Sequence, residues 1–287
     1  MNNIKTIIFL GSGFDIDLGL KNSFVEYSNY YLNPMCGIEE WGDFENNLRQ
    51  KVVDWYCKGM KYEEAKNINK VWQTYRKNLS YFFTQKSDDF ILDKNRCAYK
   101  FFKEISNNSK IYSFNYTNPY DYIDLLKKHE IQHLHGRYYR DTYDKDFMVI
   151  SQGYNLVLGI DYNCIPEEGM LNPYINAMVK NQQHGYMVTN LLRDLLNAEN
   201  IVFFGFSMCK VDYVYFKEFF NSIEKGLTCC KNIYYITYQA KDFKNISCRL
   251  KDYGVNYDII LKNVSLMPIY TINGSKDVDF CNMLKNL

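Results

Sequence analysis

The sequence has almost no net charge, no paired cysteine motif and no long apolar run. Its 34 Lys and Arg residues and 33 Asp and Glu residues leave a formal net charge of +1, so no global field directs the chain to nucleic acid or to a membrane. The nine cysteines are odd in number and include no CxxC pair, which disfavours a disulfide framework and a four-cysteine zinc site. No apolar run approaches the roughly 20 residues that span a bilayer.

These absences narrow the class of protein. The first residues carry no charged region or cleavage site typical of a secretory leader, so we expect a cytoplasmic protein with no membrane partner. Nucleic acid is a disfavoured partner, since the charges balance and no carboxylate metal cluster is evident. The 287 residues, 47% of them hydrophobic, suffice for one large domain or for a domain with a sizeable insertion.

The first positive feature is an apolar run that ends in small residues. Ile7-Ile8-Phe9-Leu10 lead directly into Gly11-Ser12-Gly13, a pattern typical of a buried strand followed by a tight turn. Two glycines allow positive φ and the close approach of a ligand. Such a turn before a helix can bind phosphate through its N–H groups. A plain strand-to-loop turn explains the same residues, and the stretch alone does not decide between the two.

Strand and helix patterns alternate along most of the chain. Strands are predicted at 4–10, 110–114, 131–136, 155–161, 201–207, 233–237, 258–261 and 267–270, and helices at 23–31, 121–128, 173–196, 212–223 and 277–287. A simple dinucleotide-binding unit reaches its second strand within about 30 residues. Here that strand arrives near residue 110, after apolar residues at helical spacing such as Trp41, Leu48 and Trp55.

The pattern therefore predicts an α/β fold with an inserted helical segment. We expect a Rossmann-like, mostly parallel sheet flanked by helices, formed by residues 1–35 and 108–287. An all-helical insertion at 36–107 follows the first strand and helix.

Glycines and polar residues follow several of the predicted strands. In open parallel sheets, ligands bind beyond the carboxyl ends of the strands, so we expect these residues to form one cleft. They are Gly11, Ser12, Gly13, Asp15, Asn115, Thr117, Asn118, His135, Gly159, Asp161, Gly205 and Ser207. A hydride-transfer dehydrogenase is disfavoured, because position 16 is Ile where GxGxxG has its third glycine, and the later acidic partner is missing.

Two side chains of this set are suited to catalysis. His135 precedes a glycine at a strand end, and an imidazole titrates near the working pH, so it is the candidate general base. A structural histidine bonded to a loop carbonyl is the alternative. Asn115 can donate and accept hydrogen bonds to a ribose or a water, or it can form an Asx turn. His133 shares a face with His135, but the spacing shows no third ligand, so no metal is expected.

Other members of the set have equally plain structural explanations. Asp15 is suited to binding ribose or to capping a helix, and Ser207 to contacting phosphate or to filling a turn. Cys209 lies nearby, but no histidine arrangement marks it as a nucleophile.

Several motifs together resemble the AbiH family of bacterial phage abortive-infection proteins. They are Gly11-Ser12-Gly13-Phe14-Asp15 with Leu18-Gly19-Leu20-Lys21-Asn22-Ser23, Trp41-Gly42-Asp43-Phe44-Glu45, Phe114-Asn115-Tyr116-Thr117-Asn118, His133-Leu134-His135-Gly136, and Gly205-Phe206-Ser207 with Asp212. They extend from residue 7 to about 215 in the family's order. Ser12 replaces the asparagine usual in the family.

The same order resembles, more distantly, the sirtuin-like NAD-binding fold. That resemblance implies that Asn115 orients the ribose and that His135 is the catalytic histidine. It also implies phosphate and ribose contacts from Gly11, Gly13, Gly205 and Ser207. We expect Ser12, Asp15, Thr117, Asn118 and Asp212 to take part in cofactor binding as well. The paired CxxC motifs of the sirtuin zinc module are absent, which disfavours deacylation. Bacterial sirtuin-like defence proteins that hydrolyse NAD lack that module too.

The resemblance therefore implies an anti-phage protein that binds NAD as a substrate and cleaves its nicotinamide–ribose bond. The alternative is a nucleotide-binding sensor without turnover that acts through a partner. A toxic NAD hydrolase must be held inactive in healthy cells, so for that function we expect homo-oligomerisation or a second ligand to control activity. The sequence does not show the phage-derived trigger.

Overall fold

The computed structural model describes residues 5–20, 27, 41–86, 92–123, 129–136, 156–160, 165–183, 186, 188 and 190–287. The strands are β1 Thr6–Leu10, β2 Ser109–Ser113, β3 Ile131–His133, β4 Asn200–Phe204, β5 Asn232–Thr237 and β6 Ser265–Tyr270. The helices are α1 Ser12–Leu18, α2 Trp41–Cys57, α3 Tyr62–Lys86, α4 Cys97–Glu104, α5 Glu167–Met170, α6 Pro173–Asn176, α7 Leu191–Asn197, α8 Lys210–Tyr213, α9 Lys217–Glu224, α10 Ala240–Asp252, α11 Tyr257–Asn263 and α12 Val278–Asn286. Short 3-10 turns occur at Pro119–Asp121, Lys180–Gln182 and Thr271–Asn273.

The chain forms two compact units. Unit 1 comprises Met1–Lys21, Phe90–His133 and Val188–Leu287, and unit 2 comprises Asn22–Asp89 and Leu134–Met187. The domain boundaries predicted from the sequence stay a prediction.

Unit 1 is built on a six-stranded sheet in which every strand pair is parallel, in the order β3-β2-β1-β4-β5-β6. The predicted α/β class with flanking helices is thereby confirmed. The chain moves outward from β1 to β3 and then returns to place β4 on the other side of β1. In doubly wound sheets this reversal is the switch point near which ligands bind. The carboxyl ends of β1, β2 and β4 meet there, since Leu10 is in register with Ser113 and with Phe204.

The central strands are buried on both faces, which explains their continuous apolar sequences. All five residues of β1 and of β4 are buried. On one face, Phe9 stacks on Tyr112 and on Phe203, with ring centroids 5.6 and 5.1 Å apart, and Phe203 stacks on Tyr235 at 4.9 Å. This row of rings crosses four adjacent strands and ties β2, β1, β4 and β5 together. The opposite face packs on α4 and α12 through residues that include Phe101 and Phe280.

Three sequence predictions about elements of unit 1 are wrong. The tight turn predicted at Gly11-Ser12-Gly13 is not formed, because α1 begins at Ser12 with only Gly11 between it and β1. The strand predicted at 258–261 is the helix α11, in which Ile260 and the following Val264 are buried four residues apart. The helix predicted at 212–223 is two helices, α8 and α9, with Tyr213 ending the first.

Unit 2 contains α2 and α3, whose buried stripe includes Leu48, Val52 and Trp55 as core residues. From α3, the Trp72 indole N–H donates to the Leu158 carbonyl at 2.7 Å, and Arg76 Nε donates to the Leu156 carbonyl at 3.0 Å. Residues 156–160 are therefore fixed along this helix. The strand predicted at 155–161 is not formed in its described part, since only Ile160 makes an isolated bridge there.

Two predicted helices fall partly outside the described residues. Of 23–31 only Tyr27 is described, and 121–128 is described as far as residue 123. Among the helices that are described, none combines the length and the apolar character that a membrane span requires.

Candidate functional site

Gly11 and Gly13 lie where the chain leaving β1 touches the chain leaving β4. The Gly11 N–H donates to the Phe204 carbonyl and the Gly13 N–H donates to the Gly205 carbonyl, both at 2.9 Å. These two donors are therefore directed at the β4 backbone. Ser12 lies between them and is half-buried.

The absence of a side chain at these positions has a steric cause. A Cβ on Gly11 would lie 2.5 Å from the Gly205 carbonyl oxygen, and one on Gly13 would lie 2.7 Å from Gly205 Cα. A Cβ on Gly205 would lie 2.1 Å from the Phe14 nitrogen, and Gly205 has a φ of 61°. Contacts under about 3 Å cannot be accommodated without backbone movement, so the three glycines allow two backbones to touch. Their nucleotide contacts stay a prediction.

Asn115 connects the end of β2 to the end of β1. Its Nδ2 donates to the Gly11 carbonyl at 2.9 Å, and its own N–H donates to Ser113 Oγ at 3.1 Å. The Asn115 carbonyl lies 3.1 Å from Nδ1 of His133, the last residue of β3. When Nδ1 carries the proton, this bond fixes the tautomer of His133. Asn115 is 7% exposed, and these bonds hold its main chain and its amide in place.

A second connection between β2 and β1 lies alongside. Asp15, in the first turn of α1, is fully buried, and the Thr117 hydroxyl donates to its Oδ2. A buried carboxyl group needs such donors, because desolvation without them costs several kcal/mol. Asn118 has a more local role, since its Oδ1 accepts from the Tyr120 N–H at 3.2 Å at the start of a 3-10 turn. That contact is the Asx-type arrangement expected of an asparagine before a turn.

The segment after β4 carries the remaining predicted residues. Ser207 is exposed, and its carbonyl accepts from Arg249 Nη1 of α10 at 3.0 Å. Met208 is buried with a φ of 52°, which is rare for a residue with a Cβ. Cys209 Sγ then donates to Asp212 Oδ2 at 3.1 Å. Asp212 is thus bound to a cysteine for which the sequence indicated no role.

The structure brings together one part of the predicted set. Hydrogen bonds or close backbone approach within unit 1 connect Gly11, Gly13, Asp15, Asn115, Thr117 and Gly205. Asn118 follows β2, and Ser207 and Asp212, the latter in α8, follow β4, but all three make the separate contacts described above. His135 and Gly159 belong to unit 2, and Asp161 lies outside the described residues.

His135 is buried within unit 2. It is 6% exposed, its carbonyl accepts from the Val157 N–H at 2.7 Å, and its backbone forms a bridge with Tyr186. Burial, followed by the positive charge of Lys180, holds the pKa of His135 well below 6.5. The imidazole is therefore neutral at neutral pH. A general base must be unprotonated before the reaction, as this neutral imidazole is. A pKa that is lowered so far also weakens its affinity for the proton.

Lys180, a buried lysine of unit 2, was not predicted from any pattern in the sequence. Lys180 is 2% exposed, and its Nζ lies 2.8 Å from Oε2 of the buried Glu45. Glu45 ends the Trp41-Gly42-Asp43-Phe44-Glu45 motif, to which no role was assigned. An isolated lysine in a polar stretch has no periodicity that would indicate its burial. Within the described residues no group of three or more His, Cys, Asp and Glu side chains is placed to hold a metal ion.

Unit 1 is thus a doubly wound α/β domain of Rossmann-like strand order, with glycines and buried polar groups at its switch point. The model of the family described as Bacteriophage abortive infection AbiH matches residues 7–232. Since this is most of the chain, the protein belongs to the AbiH family. Membership implies a role in abortive infection by bacteriophage.

The match ends at residue 232, the first residue of β5. The strands β5 and β6 therefore complete the sheet beyond the matched region. A search of curated proteins found no match, and a search of solved structures found none.

Proposed function

We propose that this AbiH-family protein binds NAD as a substrate at the carboxyl edge of the unit 1 sheet and hydrolyses its nicotinamide–ribose bond during phage infection. The observation that supports this proposal is the set of buried polar side chains at the switch point. Asp15, Asn115 and Thr117 connect the carboxyl ends of β1 and β2 by hydrogen bonds, next to the strand that follows the reversal of chain order.

Two physical arguments favour a nucleotide as the ligand. Polar groups that are buried at the end of a sheet cost free energy unless they form hydrogen bonds. Rigid, preorganised amide and carboxyl groups at a switch point are the usual means of orienting a ribose. Gly13 and Gly205 are half-buried, so part of each residue is accessible to a ligand.

The proposed reaction is hydrolysis. The bond between C1′ of the ribose and the nicotinamide nitrogen breaks, and its electron pair leaves with the nitrogen, so that neutral nicotinamide is released. Water adds to the oxocarbenium-like C1′ and loses a proton, which gives ADP-ribose. The sirtuin-like resemblance assigns the ribose hydroxyls and the attacking water to Asn115. It assigns the acceptance of the proton to His135, whose imidazole is neutral at neutral pH.

The test is nicotinamide release from NAD by the purified protein, alone and in phage-infected lysate. Asn115→Ala and His135→Ala are each expected to reduce the rate roughly 10²–10⁴-fold. Asn197→Ala is the matched control, since Asn197 is an asparagine whose Nδ2 donates only to the local Arg193 carbonyl of α7, on the exposed surface. Full activity in both site variants would refute the catalytic assignment.

One observation favours a second function, a nucleotide-binding sensor without turnover. The amide of Asn115 and the hydroxyl of Thr117 already donate to Gly11 and to Asp15. Because these donors are used within the protein, they suit a rigid binding site better than a group that acts on the substrate. The sensor is favoured if NAD or ADP-ribose raises the Tm of the protein while no nicotinamide appears in infected lysate. Absence of both effects would exclude the two functions together.

We further propose that activity is held off in uninfected cells by homo-oligomerisation or by a second ligand. A toxic hydrolase requires such control. Measuring the mass of the protein with and without NAD shows whether its oligomeric state changes. If the protein has the mass of a monomer in both conditions, control by oligomerisation is excluded and only control by a second ligand remains.

A further inference from the structure

A lysine amine and a cysteine thiol from distant parts of the chain are in direct contact in unit 1. Lys100 lies in α4 and Cys281 lies in α12, 181 residues further along the chain, and Lys100 Nζ is 3.2 Å from Cys281 Sγ. Both residues are half-buried, and Cys281 is a free cysteine. Neither residue belongs to the proposed nucleotide site, so the contact has no role in the proposed reaction.

A backbone carbonyl holds the amine beside the thiol. The Ser275 carbonyl accepts from Lys100 Nζ at 2.8 Å, and Cys281 Sγ lies 3.7 Å from the same oxygen. Lys100 Nζ is also 6.0 Å from the centroid of the Phe280 ring, which precedes Cys281 in α12. The amine, the thiol and the carbonyl therefore converge, and the position of the lysine nitrogen does not depend on the sulfur alone.

The two helices that carry the pair are fixed by the hydrophobic core of unit 1. Phe101, next to Lys100, and Phe280, next to Cys281, are both fully buried in the cluster that packs on the sheet. The Cys281 N–H donates to the Asp277 carbonyl at 3.0 Å in the first turn of α12. Helices packed in this way cannot move apart without opening the core, so the nitrogen and the sulfur stay within reach of each other.

We propose that Lys100 and Cys281 form a modification site, at which a peroxide joins the two side chains through a nitrogen–sulfur bond, a sulfenamide. A sulfenic acid is the first product of thiol oxidation, and it condenses with a neighbouring thiol or nitrogen. A half-buried thiol is accessible to a molecule as small as hydrogen peroxide. The nitrogen is 3.2 Å from the sulfur, the separation from which groups held in place react most readily. This modification does not depend on the cleavage of NAD.

The reaction has two steps. In the first, the thiolate sulfur of Cys281 attacks one oxygen of the peroxide, the O–O bond breaks and hydroxide leaves, so that sulfur loses two electrons and the peroxide gains them. In the second, the Lys100 amine, after the loss of one proton to solvent, attacks this sulfur. The S–O bond then breaks, and the hydroxyl group leaves as water with a proton from the nitrogen. One thiol, one neutral amine and one hydrogen peroxide thus give one sulfenamide and two water molecules.

A purely structural hydrogen bond is the competing explanation, and it differs in its consequences. It predicts that Cys281 is oxidised stepwise to the sulfinic acid and stays separate from Lys100. A covalent bond between them closes a loop of 181 residues and restricts the unfolded chain in the way that a disulfide does. The modified protein should therefore unfold at a higher urea concentration, and dithiothreitol should reverse the change.

The test is peptide mass spectrometry of the full chain after exposure to hydrogen peroxide, with alkylation but no reductant before digestion. We expect a cross-linked product of the peptides that contain Lys100 and Cys281, with two hydrogens fewer than their sum and without tryptic cleavage after Lys100. A disulfide between Cys97 and Cys281 also removes two hydrogens, and Cys97 is close to Lys100 in sequence. The variant Cys97→Ser excludes that disulfide.

The cross-link should persist in Cys97→Ser and be absent from Cys281→Ser and from Lys100→Arg, which keeps the positive charge but lacks the amine. Peroxide should raise the urea midpoint of the wild-type protein and of Cys97→Ser alone. If Cys281→Ser does not fold, the fragment ions of the wild-type product locate the bond instead. Recovery of Cys281 as a thiol or as a sulfinic acid without a link to Lys100, or a cross-link that survives in Lys100→Arg, would overturn the inference.

Discussion

Replacing Gly205 by Ala tests the close approach of β1 and β4 most sharply. Gly205 has a φ of 61°, and a Cβ there would lie 2.1 Å from the Phe14 nitrogen and 2.4 Å from Gly13 Cα. The left-handed backbone alone costs a residue with a Cβ about 1–2 kcal/mol. Overpacking against the neighbouring backbone adds about 1–3 kcal/mol. We therefore expect Gly205→Ala to lower the free energy of unfolding by about 2–5 kcal/mol, a large share of the ~5–15 kcal/mol typical of a folded protein.

Gly226→Ala is the matched control. Gly226 has a φ of 67°, and a Cβ there meets nothing within 4 Å, so only the backbone cost of about 1–2 kcal/mol applies. The free energy of unfolding of both variants is measured by urea denaturation, with the m-value checked against the wild-type protein. Equal losses in the two variants would show that the β1–β4 contact is looser than described, and the steric explanation of Gly11, Gly13 and Gly205 would fail.

Three further predictions concern the buried polar groups. Thr117→Val removes the hydroxyl that donates to the buried Asp15 and should lower the free energy of unfolding by about 1–3 kcal/mol; an unchanged value would contradict the bond. His133→Asn keeps a donor near the Nδ1 position that faces the Asn115 carbonyl, so it should be about 1 kcal/mol more stable than His133→Gln, and the reverse order would argue against that tautomer. Because the folded state depresses the pKa of His135, the unfolded chain binds more protons below pH 6.5. Stability should then fall by up to ~1.4 kcal/mol per pH unit as the pH drops from 6.5 towards the folded pKa. His135→Gln should remove that slope, and an identical slope in the variant would assign the effect to another group.

The central strands could be predicted from the sequence because their surroundings are simple. β1 and β4 are buried on both faces. Such strands have continuous apolar sequences, a pattern that exposed elements do not show. Residues 258–261 show the limit of the same argument. Their apolar run Ile259-Ile260-Leu261 fits a short strand, but Asn256 Oδ1 accepts from the Ile259 N–H and caps a helix. A short apolar run alone cannot distinguish the two.

The candidate site was predictable in position and not in its contacts. Polar residues after parallel strands must lie at one edge of the sheet, so Asn115 and Thr117 were placed near Gly11 on pattern alone. The bonds that they make depend on side-chain geometry that no spacing encodes. The pattern also could not show that Gly11 and Gly13 direct their N–H groups at the β4 backbone. Lys180 was missed because its burial is fixed by Glu45, a residue 135 positions away.

The proposal that nucleotide binds at the carboxyl edge of unit 1 is tested most directly by hydrogen–deuterium exchange with and without NAD. The account predicts that NAD slows exchange in the segments that follow β1, β2 and β4, namely 11–18, 114–118 and 205–212, and that Asn115→Ala weakens this protection. The loop at 226–231 of the same unit, which lies at the opposite ends of the strands before β5, serves as the internal reference and should not change. Protection confined to segments other than these three, or no protection at NAD concentrations that saturate nucleotide-binding proteins, would contradict the central claim.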